Sequence, residues 1–114
     1  MIIQRSAMKT ENKEKMRGGE GTVKFTYIVD NDKIPHGRMM AEIVLQPGCS
    51  IGEHTHERET EYYIILRGTG TVIDNGTSKS VNPGDVVITG GGASHSIINT
   101  GTEDLVFHAV IILD

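Results

Sequence analysis

One cysteine, Cys49, stands in the whole chain, so no intrachain disulfide is available and the expected setting is a reducing, cytoplasmic one. Cationic excess is missing too. The formal charge is −4 and the isoelectric point near 5.7, with no Lys/Arg cluster to suit a nucleic acid or an anionic membrane. No apolar run approaches the ~20 residues of a membrane span. The start, MIIQRSAMKTENKEK, lacks the basic-then-apolar order and small-residue cleavage site of a secretory signal. The glycine-rich TGGGAS has no following Lys-Ser/Thr, so it does not read as a phosphate loop. Internal repeats and low-complexity segments are also absent.

What is present is β-pattern. From Thr22 onward, short β-branched and aromatic runs (TVKFTYIV, RMMAEIVLQ, EYYIILRG, GTVIDNG, DVVITG, HSIIN, DLVFHAVIIL) alternate with turn-rich stretches such as QPGCSIG, DNGTSK and TGGGAS. Asn75-Gly76 between two runs is a hairpin signal. At 114 residues the chain is long enough for one core, and short strands at this spacing predict a single all-β sandwich or barrel. The expected organisation is an N-terminal arm over 1–21, in which MKTENKEKMR forms a short helical turn, and a β domain over 22–114.

The chemistry concentrates in EHTHERETEYYIILRG. On a strand, residues i and i+2 share a face, so His54 and His56 point the same way. Glu61 opens the next extended run and brings a carboxylate; His95, at the start of HSIIN, brings a third imidazole. Three imidazoles and one carboxylate suit a divalent ion such as Mn, Fe, Ni or Zn, with manganese the first choice. Such a centre keeps a net charge of about +1 and, if octahedral, two open positions, which favours a small chelating carboxylate.

Parity adds two candidates for catalysis. Tyr63 shares the face of Glu61 and is either a hydrogen-bond donor or weak acid in the pocket, or a core aromatic. Glu42 becomes a buried proton shuttle if Met40, Glu42, Val44 and Gln46 face inward, and a surface acid if Met39, Ala41, Ile43 and Leu45 do. Glu57, Arg58 and Glu59 read as a solvent-facing turn.

Two spacings resemble a known family. Gly48, five residues, His54-x-His56, four residues, Glu61, six residues and Gly68 resemble the first motif of the cupin superfamily at every fixed position. Gly84, five residues, Gly90-x-Gly92, two residues, His95, three residues and Asn99 resemble the second. The family usually has proline where Gly90 stands, a departure expected to loosen the turn before His95. The resemblance implies a small cupin-type β-barrel, or jelly roll, with one metal ion bound by His54, His56, Glu61 and His95. It also implies oxalate-decarboxylase-like or dioxygenase-like chemistry, or non-catalytic binding or sensing of a small carboxylate. A homodimer to which the terminal arm contributes is expected on the same grounds.

Overall fold

Period-two alternation decides which side of each strand meets the core. The structure, a computed structural model, describes residues 1–114. Its strands are β1 (Lys9–Glu14), β2 (Thr22–Val29), β3 (Gly37–Leu45), β4 (Ser50–Thr55), β5 (Glu59–Arg67), β6 (Gly70–Asp74), β7 (Thr77–Val81), β8 (Val86–Gly90), β9 (Ser94–Ile98) and β10 (Leu105–Leu113). They form a six-stranded sheet in the order β1-β2-β3-β10-β5-β8 and a four-stranded sheet in the order β4-β9-β6-β7. All pairings are antiparallel. The two sheets are hydrogen-bonded separately, so the expected barrel is an open jelly roll rather than a closed cylinder.

Inward positions supply one core. Val23 and Phe25 of β2, Ala41, Ile43 and Leu45 of β3, Ile65 of β5 and Phe107 of β10 meet Ile51, Val72 and Ile97 of the smaller sheet. The β3 parity is therefore the one with Ala41, Ile43 and Leu45 inside, and it corrects the inward placement of Glu42. That side chain lies on the outer face, where Arg5 donates two hydrogen bonds to its carboxylate at 2.9 and 3.2 Å. An ion-paired acid on the outside of the sheet has no path to the interior and is no proton shuttle for it.

Two strands, β1 and β7, were not legible as strands, and β4 was legible only around His54. Most of MKTENKEKMR is strand: residues 9–14 are β1, paired with β2 from Lys9↔Tyr27 to Glu14↔Thr22, and the expected helical turn shrinks to a 3-10 turn over Met16–Gly18. A ten-residue charged helix is marginal in water, whereas β2 offers a row of unpaired backbone groups. β4 lay partly in QPGCSIG, and β7 (TSKSV) buries only Val81, so neither has an apolar alternation to read. The Asn75-Gly76 turn is as expected. Its two residues join β6 to β7 with φ of 48° and 90°, the left-handed pair that a type I′ hairpin requires.

The β1–β2 pairing also perturbs one phenol. Partial burial, and then the hydrogen bond that Tyr27 donates to Glu11 at 2.6 Å, push the Tyr27 hydroxyl up to about 12 from 10.0. A folded-state value above the unfolded one means the contribution to stability is complete below pH 10.0 and is lost as pH rises through about 12. A phenolate absorbance titration should show a transition near pH 12 that Tyr27→Phe removes and Glu11→Gln moves down, separate from that of the more deeply buried Tyr63.

Candidate metal centre

The site lies between the sheets. His54 on β4 and His95 on β9 are direct cross-strand neighbours in the smaller sheet. His56 follows β4 and is tied to the loop before His95, its N–H donating to Ala93 and its carbonyl accepting from Gly92. Arg58, at φ 59°, helps turn the chain across to β5, whose inward Glu61 faces the three rings from the larger sheet.

Their donor atoms converge, all lying within 4.8 Å of one another. His95 Nε2 is 3.0 Å from His54 Nε2, from His56 Nε2 and from Glu61 Oε1. His56 Nε2 is 2.9 Å from the same oxygen, and His54 Nε2 is 3.6 Å from it. Adjacent ligands of an octahedral ion with bonds of about 2.1 Å stand about 3.0 Å apart, so this spacing suits an ion of that size.

The outer ring nitrogens leave these atoms free to hold a cation. His54 Nδ1 donates to the Gly52 carbonyl at 2.8 Å, and His56 Nδ1 donates to Glu59 at 2.5 Å. His95 Nδ1 meets the Thr89 hydroxyl at 2.8 Å. With the protons on the Nδ1 atoms, three Nε2 lone pairs and a carboxylate oxygen aim at one point. That arrangement repels itself unless a positive charge sits within it. Charge pulls the groups in opposite directions. Burial pushes the Glu61 carboxyl up, but where ring protons on Nε2 stand in for the cation, hydrogen bonds from His54, His56 and His95 outweigh it and hold the group far below the usual range. Burial pushes His95 down toward the neutral form that ligates. It also opposes protonation of His56, but the carboxylates of Glu61 and Glu59 prevail and raise that ring.

Glu59 is a correction to the solvent-facing reading of its turn. Arg38 grips it at 2.8 and 2.9 Å and is the main reason its carboxyl lies below the usual range. The chain Arg38–Glu59–His56 thus fixes one ligand's tautomer. Glu59→Gln should weaken metal binding about 10–100-fold, as loss of an outer partner of a ligating histidine does. Isothermal titration with the metal checks it.

Tyr63 is fully buried. Its ring stacks on His95 with centroids 4.7 Å apart and leans on Phe107 at 4.7 Å. Burial, reinforced by Glu61, pushes its phenol well above the usual range, so it forms the wall behind His95 as a neutral group. Cys49 is free and packs against the core, outside the cluster. Gly90 pairs with Thr60 of β5, and a Cβ there would stand 2.4 Å from Thr60 Oγ1, so a proline at this position would press on the paired β5.

A cavity of about 90 Å³ opens onto His54, His56 and Glu61. Met16, Met39 and Ile111 give it apolar walls, and Lys13, Arg17 and Arg38 bring positive charge. Sequence reasoning missed Lys13, Arg17 and Arg38: β1 register brings Lys13 to the site, packing of the following turn brings Arg17, and Arg38 arrives on β3, held by Glu59. The only carboxylate lining the cavity is Glu61 itself.

The family follows from a further comparison: residues 41–111 match the model of the cupin domain family. The chain is a cupin. This cupin is 43% identical over 114 residues to an oxalate-binding protein of Thermotoga maritima, covering 99% of this chain and 94% of that one. A solved structure from Thermotoga maritima, described as a predicted oxalate decarboxylase, superposes with a TM-score of 0.94 at 43% identity, with all of both chains covered. The cupin domain of Cnp3 from Schizosaccharomyces pombe shares the fold alone, with a TM-score of 0.75 at 18% identity over 91% of this cupin and 69% of that chain. No helix is long and apolar enough to cross a membrane.

Proposed function

We propose that this cupin holds one divalent metal ion at His54, His56, Glu61 and His95 and binds a small, oxygen-rich carboxylate there, oxalate before other 2-oxo or 2-hydroxy acids. A divalent ion held by these donors supplies Lewis-acid positions for a chelating anion. The observation that carries the ligand class is the cavity. Its volume of about 90 Å³ leaves room for a small molecule alone, and its charged rim is cationic. A small anion suits both. The 43% identity to an oxalate-binding protein supports the same choice.

Binding is favoured over turnover. Decarboxylation needs a group that gives or takes a proton at the substrate. Glu61 is committed to the donor cluster, Glu42 lies on the outer face and Tyr63 stacks behind His95, which leaves the Lys13 ammonium as the one titratable Lys or acid of the cavity wall outside the cluster. The likeness to a predicted oxalate decarboxylase supports the second reading, a metal-dependent decarboxylase or dioxygenase. Metal analysis, mass spectrometry of any co-purified acid, and product analysis for formate and carbon dioxide separate the two. A bound acid with no product supports the binding protein; sustained formate release supports the enzyme. Manganese remains first among Mn, Fe, Ni and Zn, and the metal analysis decides that too.

Assembly as a homodimer fits the surface. Ile64, Leu66, Val86 and Ile88 are exposed on the outer face of β5 and its edge neighbour β8, and Met1, Ile2 and Ile3 are exposed at the arm. An apolar strip beside an open edge is a surface that a second copy covers. Sedimentation should give a dimer at micromolar concentration, and a full-length monomer would contradict it.

A further inference from the structure

The cations of β1 and the turn after it have no role in the metal centre, yet they face it. We propose that Lys13 and Arg17 form an anion-binding pair across the cavity from the metal-donor cluster. They take the carboxylate oxygens that a chelated dianion leaves free of the ion, and so select dicarboxylates over singly charged chelators. This rests on the metal–carboxylate reading above and adds what sets the charge of the ligand.

Four observations carry it. Both side chains line the cavity that opens on His54, His56 and Glu61. Neither has a carboxylate partner within 4.0 Å, unlike Arg38, the third cation lining the cavity, which is paired with Glu59. Lys13 is the one half-buried residue of β1, its ammonium resting 4.7 Å from the centroid of the Phe25 ring that also lines the cavity. An ammonium over an aromatic face is held without being neutralised, and keeps its charge for a ligand.

The backbone around Arg17 supplies the last observation. Lys15 (φ 47°, ψ 45°) and Arg17 (φ 56°, ψ 29°) both adopt the left-handed conformation in one tight turn, where glycine or asparagine would be easier. A side chain kept at a strained position points to a use for that side chain. The turn is also pinned to the strand that bears His54. The Ser50 N–H donates to the Glu20 carbonyl at 2.9 Å, and the Glu20 N–H donates to Ser50 Oγ at 2.8 Å. At Gly52 a Cβ would lie 2.0 Å from the Arg17 carbonyl oxygen, so only glycine permits the approach. The Gly52 carbonyl is the acceptor that orients the His54 ring. One residue therefore fixes both the ligand ring and the backbone that carries Arg17.

The test is calorimetry of the metal-loaded protein with oxalate and with glycolate. Glycolate offers a carboxylate and an adjacent hydroxyl for chelation but has no second charge. Arg17→Gln and Lys13→Gln should each weaken oxalate about tenfold or more, while glycolate stays within about twofold. Lys15→Gln, the same charge change at a neighbour outside the cavity, should alter neither. Arg17→Asn should lose oxalate affinity with its thermal midpoint unchanged or raised, which separates binding from folding. If the wild type binds both acids and the variants bind oxalate normally, or lose both equally, the proposal is overturned and the metal–carboxylate reading stands. If the loaded wild type binds neither acid, that reading fails and this proposal fails with it.

Discussion

His95→Ala should abolish tight metal binding and, with it, the effect of metal on stability. His95 Nε2 is the one donor atom that lies 3.0 Å from each of the other three. Its loss opens the cluster at the centre rather than at the edge. The expected fall in affinity is more than the ~100-fold that removal of an outer partner can cause. For the wild type, metal at 100 times its dissociation constant adds about 2.7 kcal/mol, a rise of roughly 10 °C in the thermal midpoint of a domain this size. In His95→Ala the midpoints with metal and with chelator should coincide. Comparing the two within one variant cancels the packing lost against Tyr63, and a retained metal shift would remove His95 from the ligand set.

Asn99→Ala should produce the largest loss of stability among polar substitutions, about 3 kcal/mol. Asn99 is buried, and its amide donates to the carbonyls of Leu45 and Glu103, both at 2.7 Å. Its side-chain oxygen accepts from the Gly101 N–H at 2.9 Å. Those bonds tie the end of β9 to the end of β3 and to the turn leading into β10. Alanine leaves three backbone groups short of a partner in a partly dry place, which costs more than the bonds themselves contribute. A denaturant midpoint measures the loss. Metal affinity should be nearly unchanged, because the side chain touches none of the donor residues.

Asn99 illustrates how much the sequence could say. Its spacing from His95 marked it as a fixed position of the second motif, yet its role is a three-way tie between strand ends that only tertiary structure reveals. Strands with apolar alternation, such as β3 and β10, were legible because burial on one face leaves a period of two. The Asn75-Gly76 hairpin was legible because its backbone conformation restricts which residues can occupy it. β1 and β7 were not, since edge strands are held by backbone pairing and show a polar surface. The same division runs through the site. His54, His56, Glu61 and His95 could be named from spacing, and the structure brings their donor atoms together. Glu59, Arg38, Lys13 and Arg17 could not, because their relation to the centre depends on a turn that folds back and on a strand laid along β2. Parity alone left two faces open for Glu42; the packing of Ala41, Ile43 and Leu45 in the core and the ion pair with Arg5, from a distant part of the chain, put it on the outside.

The most direct measurement of the central claim is titration of oxalate into two preparations of the same protein, one loaded with a divalent metal and one stripped by chelator. A carboxylate bound at His54, His56, Glu61 and His95 through a shared ion predicts one oxalate per chain in the loaded preparation and none in the stripped one. Equal binding in both, or no binding in the loaded protein, would contradict it.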